Sequence, residues 1–184
     1  MSTSALLRKA LSESGAQKNL ITRVLDTVGD GTGTIEATGN YSAAVEEFFI
    51  QPAATEVIRL SRLLISVEDS GNFDAAKYGN GITLSNGIKV ICYNGETDTE
   101  SSHTGQLSVM HNADWGSYCY DVDVKTWGIG NEVLLARWTF QKSGQYLRLR
   151  GSVGDKFIIR LEDDFTDLVE HKFIVQGYYE EGPH

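Results

Sequence analysis

The chain has 184 residues, the size of one domain with room for a substantial core. Its 25 acidic and 16 basic side chains give a formal net charge of −9, a field that repels the phosphates of nucleic acids. No apolar run approaches the ~20 residues that span a bilayer, and the N-terminus lacks the apolar core of a signal peptide. We therefore expect one domain, a mature chain that begins near Met1, and no nucleic acid and no membrane among its partners.

The N-terminal segment predicts a short amphipathic helix. Leu6, Leu7 and Leu11 share one helical face, Ser4 is a suitable N-cap, and Gly15 follows the end. A helix of ~10 residues is marginal in water by itself. We therefore expect a helical arm that docks on its own domain or on a neighbouring subunit.

The segment that follows fits two interpretations. The apolar residues between 20 and 28 form a helical stripe, but the same residues also fit a strand that leads into a glycine-rich turn. We interpret the segment as a helix that gives way to a loop. This interpretation places the arm at residues 1–30 and a β-sandwich domain at residues 31–184.

Most of the remaining chain predicts antiparallel strands, because β-branched and aromatic runs alternate with polar turns. The predicted strands are residues 44–50, 56–67, 106–110, 117–124, 133–140, 146–150, 157–161 and 172–175. Roughly eight to ten strands, with no helix long enough for parallel crossovers, favour an all-β, antiparallel two-sheet sandwich of jelly-roll type.

Local signals add three expectations. Asn86-Gly87 lies between the apolar runs 82–84 and 88–90 and predicts a hairpin with a type I′ turn. The polar residues 95–105 predict an exposed loop. Residues 164–168 predict a single helical turn.

Motifs for catalysis or cofactors are incomplete. The glycine cluster at residues 29–33 lacks the spacing of a dinucleotide or phosphate loop, so a turn is expected. Asp121, Asp123 and Glu132 match three positions of a calcium loop, but Thr126 stands where that loop needs glycine. The histidines have no metal-ligand spacing, and no Gly-x-Ser-x-Gly motif occurs. We expect no enzyme, no cofactor and no metal.

Two smaller groups have structural interpretations. The acidic residues Asp163, Asp164 and Asp167 are expected to form a solvated turn. Cys92 and Cys119 lie in predicted strands that could be neighbours, so a disulfide stays an alternative to two reduced core thiols.

Four aromatic residues lie close together in the sequence: Trp115, Tyr118, Tyr120 and Trp127. Tyr118 and Tyr120 would share one face of a strand. Such a group packs into a core or forms a platform on which a sugar stacks. We favour the core and keep glycan binding as the alternative.

Six segments carry strand and turn signatures that point to a known family: residues 49–52, 64–74, 84–90, 133–140, 163–168 and 175–178. Together they resemble a family of small virion structural proteins of tailed bacteriophages, over about residues 25 to 180. The resemblance implies a non-enzymatic sandwich that is assembled into the virion in the host cytoplasm. It implies a capsid decoration (cement) protein that binds neighbouring capsid subunits and stabilises the particle.

The resemblance also leaves an alternative open, a protein of the tail or fibre that binds a carbohydrate receptor through the four aromatic residues. In either role the expected partners are other virion proteins and further copies of the chain. Leu6, Leu7 and Leu11 of the arm are then the expected contact with a neighbouring subunit.

Overall fold

The computed structural model describes residues 19–32, 39–69, 77–78, 82–83, 86, 88–103, 119–126, 132–139, 147–166 and 168–180. These residues form two antiparallel sheets of six and four strands that pack face to face, with a separate two-stranded ribbon. The all-β sandwich prediction is confirmed at this level.

The larger sheet consists of β1 (Asn19–Val24), β3 (Val57–Asp69), β8 (Cys119–Thr126), β9 (Glu132–Thr139), β10 (Leu147–Arg150) and β12 (Leu168–Tyr179). Its order is β1-β12-β3-β9-β8. On the side of β3 where β9 pairs with residues 62–69, β10 pairs with residues 57–60. The smaller sheet consists of β2 (Glu46–Ile50), β6 (Ile88–Asn94), β7 (Thr99–His103) and β11 (Lys156–Leu161) in the order β2-β11-β6-β7. The ribbon pairs β4 (Lys77–Tyr78) with β5 (Ile82–Thr83), and the 3-10 turn Gly151–Val153 joins β10 to β11.

Most predicted strands coincide with observed ones. Each of the predicted strands except residues 106–110, which lie outside the described residues, overlaps β2, β3, β8, β9, β10, β11 or β12. The last is far longer than predicted, because β12 pairs with β1 along one side and with β3 along the other.

Four local predictions are wrong. Residues 20–24 belong to the strand β1 and are not helical. Residues 99–103 form the edge strand β7 within the predicted loop 95–105. Where a helical turn was expected, Asp164 forms an isolated bridge with Asn40, Thr166 lies in a turn and Leu168 begins β12, so the described residues there are not helical. In the described residues β5 pairs with β4, and β6 pairs with β11 and β7, so the predicted hairpin pairing is not observed.

The core lies between the two sheets and follows strand alternation. Inward-facing side chains recur at every second residue of β2, β6 and β11. Ile91 and Ile158, which pair with each other on the opposite face of the smaller sheet, are buried as well. The largest fully buried side chains are Phe48, Phe157, Phe165, Phe173, Leu25, Leu60, Leu63, Ile88, Ile91 and Leu149. Leu25 and Ile21, both from the segment predicted as an arm, are part of this core.

A β-bulge in β3 accounts for an irregular spacing of apolar residues in the sequence. Leu60 and Leu63 are both buried although they are three residues apart, which simple alternation forbids. Opposite them, Gly177 pairs with Leu60 and Gln176 pairs with Arg62, so Ser61 is an extra residue without a partner in β12. The bulge therefore keeps the apolar side chains inward on both sides of Ser61.

The glycine cluster forms the turn from β1 towards β2, as predicted for its described part. The Asp26 carboxylate accepts hydrogen bonds from the backbone N–H groups of Val28 and Gly29. Gly29 has φ +86° and lies against the Phe49 ring, at 2.0 Å from where a Cβ would stand. A side chain at this position would meet both backbone strain and the ring.

The acidic group at residues 163–164 is structural. Asp163 is 8% exposed and accepts hydrogen bonds from the backbone and side-chain nitrogens of Asn86 at 2.9 and 3.2 Å. Asp164 accepts a hydrogen bond from Asn40 Nδ2 at 2.8 Å. The expectation of a solvated turn is therefore wrong for Asp163, and Asp167 lies outside the described residues.

Candidate functional site

The structure leaves the predicted contact residues untested. The residues outside its described part are Leu6, Leu7, Leu11, Trp115, Tyr118 and Trp127. Tyr120 lies in β8 and pairs with Trp138 of β9, but its side chain is not described. The arm contact and the glycan platform both stay predictions.

The outer face of the larger sheet carries a group of arginine side chains. Two neighbouring rows of residues cross β1, β12 and β3 on this face, and one of them continues to β10. We call it the arginine face and define it by Leu20, Thr22, Arg59, Arg62, Arg148, Gln176 and Tyr178. Its residues alternate with the buried ones of the same strands, and the bulge at Ser61 brings Arg62 to the same side as Arg59.

One carboxylate holds two of the arginines in place. The Nε atoms of Arg59 and Arg148 both donate to Oε2 of Glu180, each at 2.9 Å. The hydrogen bonds from Arg59 and then from Arg148 lower the pKa of Glu180 to about 2. The glutamate is therefore ionised at neutral pH, and both guanidinium groups are held in fixed orientations on the sheet.

Arg62 differs from its two neighbours. Its Nη1 donates to Oε1 of Gln176 at 3.3 Å, while its Nε atom is buried without a hydrogen-bond partner. No carboxylate within the described ranges forms an ion pair with Arg62. Three arginines against the single Glu180 leave the arginine face with a charge of +2, although the chain as a whole carries −9.

Apolar surface adjoins these charges. Leu20 is 80% exposed and stands beside Tyr178 in the row that continues to Arg59. Arginine and tyrosine are enriched at the centres of protein interfaces, where the energy of binding concentrates. A sheet face with oriented guanidinium groups and an exposed leucine therefore has the chemistry of a protein-binding surface for carboxylates.

No protein-family model, characterised protein or solved structure matches this chain.

A groove lies between β6 and β10, at an open side of the sandwich. Its volume is about 390 Å³. The lining residues are Cys92, Tyr93, Asn94, Leu147, Arg148, Leu149, Arg150 and Asp155. Arg148 links the groove to the arginine face.

The charges at the end of the groove are paired with each other. Asp155 is 5% exposed and accepts hydrogen bonds from Gly95 N at 3.1 Å and from Arg150 N and Nε at 3.0 and 2.9 Å. Burial opposes ionisation of Asp155, but these hydrogen bonds outweigh it and hold its pKa below the usual range. Arg150 Nη1 also donates to Glu96 at 2.7 Å. The arrangement joins three chain segments and leaves this arginine satisfied.

Cys92 is the thiol that lines the groove, and it is free. Burial, together with the nearby charge of Asp155, raises the pKa of the Cys92 thiol to about 12. The thiol therefore stays protonated at neutral pH, which makes it a poor nucleophile. The disulfide alternative with Cys119 is wrong.

Two further observations concern metals and membranes. Among the residues the structure describes, no three histidine, cysteine, aspartate or glutamate side chains are grouped so that they could hold a metal ion. In the same residues no helix has the length and apolar character needed to cross a membrane.

Sequence reasoning missed the arginine face. Arg59, Arg62 and Arg148 are separated in the chain, and β10 meets β3 only in the fold. A spacing of three residues between Arg59 and Arg62 also places them on opposite faces of a regular strand. The one available signal was the irregular apolar pattern around Ser61, which is the mark of a bulge.

Proposed function

We propose that the protein is a non-enzymatic structural component of a tailed-phage virion. In this proposal it is a capsid decoration protein that binds neighbouring subunits through the arginine face and stabilises the particle. The observation that carries the proposal is Arg62, an arginine in the middle of a sheet face whose guanidinium has no carboxylate partner among the described residues. The neighbouring subunit supplies that carboxylate.

The geometry favours binding at low entropic cost. Arg59 and Arg148 are already oriented by Glu180, so less side-chain freedom is lost when a partner docks. Arg62 then pairs with a carboxylate of the partner, and the planar guanidinium donates two parallel hydrogen bonds to its oxygens. Leu20 and Tyr178 supply the apolar area that surrounds such a contact.

The described ion pairs are consistent with a binding role. Arg160 Nη2 lies 2.5 Å from Glu47 and 2.7 Å from Glu100, which ties β11 to β2 and β7 across the smaller sheet. Like the pair of Arg150 and Asp155, this group joins separate segments of the chain. Side chains of this kind maintain a rigid sandwich.

The jelly-roll connectivity and the helical arm are parts of the same proposal. The chain changes sheets repeatedly, from β1 to β2 to β3 and again from β10 to β11 to β12, as winding of the jelly-roll type requires. The arm at residues 1–15, with Leu6, Leu7 and Leu11, adds a second contact with a neighbour. Two linked contacts strengthen attachment beyond either one alone.

The proposal is tested by attachment to particles. The variants Arg62→Glu and Lys156→Glu change the net charge equally, but Lys156 lies on the smaller sheet, over the Phe49 ring at 5.0 Å. The gene is first deleted from the genome of the tailed phage that carries it. Each protein is then supplied to particles of this deletion phage. The number of copies that sediment with the particles is then counted.

We expect Arg62→Glu to lower the bound copies at least about tenfold, because loss of a central charge pair costs a binding energy of 1.4 kcal/mol or more. Lys156→Glu should bind as the wild type does. Equal binding of all three proteins would reject the arginine face as the interface. Absence of the wild-type chain from purified particles would reject the virion function itself.

A further inference from the structure

A histidine lies buried in the core, where its polar atoms have no partner. His171 of β12 is 1% exposed, and neither of its ring nitrogens has a hydrogen-bond partner. A buried polar group without a partner destabilises a fold, and phenylalanine would avoid that cost. Such a position calls for a physical account.

Four aromatic rings surround the imidazole. Phe48 and Tyr41 stand edge-to-face to it, with ring centroids at 5.6 and 6.2 Å and interplanar angles of 84° and 82°. Phe173 and Phe165 lie at 5.3 and 6.3 Å in tilted arrangements. The face of an aromatic ring is a weak acceptor for a ring N–H, so this cage tolerates the neutral imidazole.

Two of the four rings belong to short segments that cover this end of the sandwich. We call residues 39–41 and 163–166 the closing segments. They are joined by the hydrogen bonds from Tyr41 N to Asp163 O and from Phe165 N to Gly39 O, both at 2.9 Å. The rings of Tyr41 and Phe165 lie 5.9 Å apart. The closing segments are also held by the hydrogen bonds from Asn86 to Asp163 and from Asn40 to Asp164, and their rings pack around His171.

We propose that His171 makes this end of the sandwich acid-sensitive: protonation of the imidazole releases the closing segments from the aromatic core while the two sheets stay paired. A second ring proton gives the imidazole a full positive charge, and none of the four surrounding rings carries a negative charge to compensate it. Opening of the closing segments gives that charge access to water. Local opening costs less than unfolding of the paired strands, so it is the first response to acid.

The described groups around the imidazole supply no compensating charge. Tyr41 is the titratable side chain whose ring faces it, and burial and the charge of Glu46 raise the pKa of this phenol to about 12, so it stays neutral. From the other closing segment, the Asp163 carboxylate is engaged by Asn86. On β12 itself, Glu170 and Lys172 alternate with His171, point to the opposite face and pair with each other at 3.2 Å.

The β2 and β3 neighbours complete the surroundings. On β2, Glu47 alternates with Phe48 and pairs with Arg160 on the outer side. Glu46, in contrast, lies on the same side as Phe48, and its charge acts on the Tyr41 phenol. On β3, His171 pairs with Val67, and Glu68, the next residue, pairs with Glu170. Burial is the cause that lowers the pKa of His171 from 6.5 to about 4.

The sign of the effect follows from this lowered pKa. Once exposed to water the imidazole binds a proton near pH 6.5, whereas in the closed state it does so only near pH 4. Between these values the open state holds more protons, so acid favours opening. From pH 7.5 to pH 5.0 the opening equilibrium constant should rise about thirtyfold, which corresponds to about 2 kcal/mol at 1.36 kcal/mol per tenfold change.

Amide hydrogen exchange tests the proposal. The wild type and the variant His171→Phe are compared at pH 7.5 and 5.0, with each rate corrected for the pH dependence of intrinsic exchange. In the wild type the amides of Tyr41 and Phe165 should exchange about thirtyfold faster at pH 5.0. The variant, whose ring fits the same cage without a titratable group, should show no such change. NMR titration of the His171 ring in the wild type gives a second measurement and needs no variant.

Four outcomes would overturn the proposal. One is unchanged exchange at Tyr41 and Phe165 in the wild type. Another is an equal rise in His171→Phe, which would assign the effect to carboxylates. The third is an equal rise across β3 and β12, which would indicate global unfolding. An imidazole that titrates near pH 6.5 in the folded protein would also contradict it.

Discussion

Deletion of Ser61 tests the bulge on which the arginine face depends. Ser61 lies between the residues of β3 that pair with β10 and those that pair with β9, and it has no partner in β12. If it is removed, Leu60 is followed directly by Arg62, and the strand alternates regularly. The apolar side chains stay inward and Arg62 stays outward, so the chain should still fold.

The expected cost is small. The deletion removes the hydrogen bond from Ser61 Oγ to Gln176 O at 3.1 Å, about 1 kcal/mol. Adjustment of the local twist adds a similar amount, so we expect a loss of about 2 kcal/mol in the free energy of unfolding. The midpoint of urea unfolding, followed by far-UV circular dichroism, measures this loss.

Deletion of Ser66 from the same strand is the matched control. Ser66 does not lie in a bulge, so its deletion disrupts the alternation of side chains. One part of β3 must then turn over, which moves its side chains to the opposite face of the sheet. If the preceding part turns over, Leu63 and Ile65, which are 1% and 2% exposed in the wild type, become exposed to solvent. This exposure lowers the free energy of unfolding by about 1.5 to 3 kcal/mol for each side chain. Turning the following part moves Glu68 to the inner face. A Ser61 deletion as damaging as the Ser66 deletion would refute the reasoning.

Three further predictions concern single side chains. Asp155→Ala should lower the free energy of unfolding by about 3 kcal/mol, because buried N–H groups of Gly95 and Arg150 lose their acceptor; a loss below about 1 kcal/mol would contradict this. In a Cys119→Ser background, Cys92 should react with a disulfide reagent at pH 8 about a thousandfold more slowly when folded than in urea, since its pKa rises from 9.0 to about 12; rates within tenfold would count against it. Phe157→Ala, at a side chain 0% exposed, should cost about 3 to 5 kcal/mol in urea unfolding, and a value near zero would contradict the packing of the two sheets.

Strands with strong β-propensity were predictable from the sequence. The β-branched run of β3 and the short apolar runs of β10 and β11 sit where their composition placed them, because burial on one or both faces reinforces the local preference. The arrangement of strands was less accessible. Asn86-Gly87 is a strong hairpin signal, yet β6 uses its edges for β11 and β7. In the described part of the chain the partners of β6 are distant in sequence, so the local turn signal did not indicate the observed strand pairing.

The errors at β1 and β7 have physical causes. The stripe that includes Ile21 and Leu25 fits a helix as well as a strand, and the open edge of β12 decides in favour of the strand. The residues of β7 are polar because an edge strand needs no apolar alternation to pair with β6. The arginine face was hidden for a third reason. One unpaired residue, Ser61, changes which side of β3 faces outward.

A cryo-EM map of the phage particle tests the central claim most directly. It should show a two-sheet sandwich on the particle surface, with the Arg62 guanidinium within hydrogen-bond distance of a carboxylate from an adjacent subunit. A particle without this chain would contradict the account. So would a bound chain whose arginine face points into solvent.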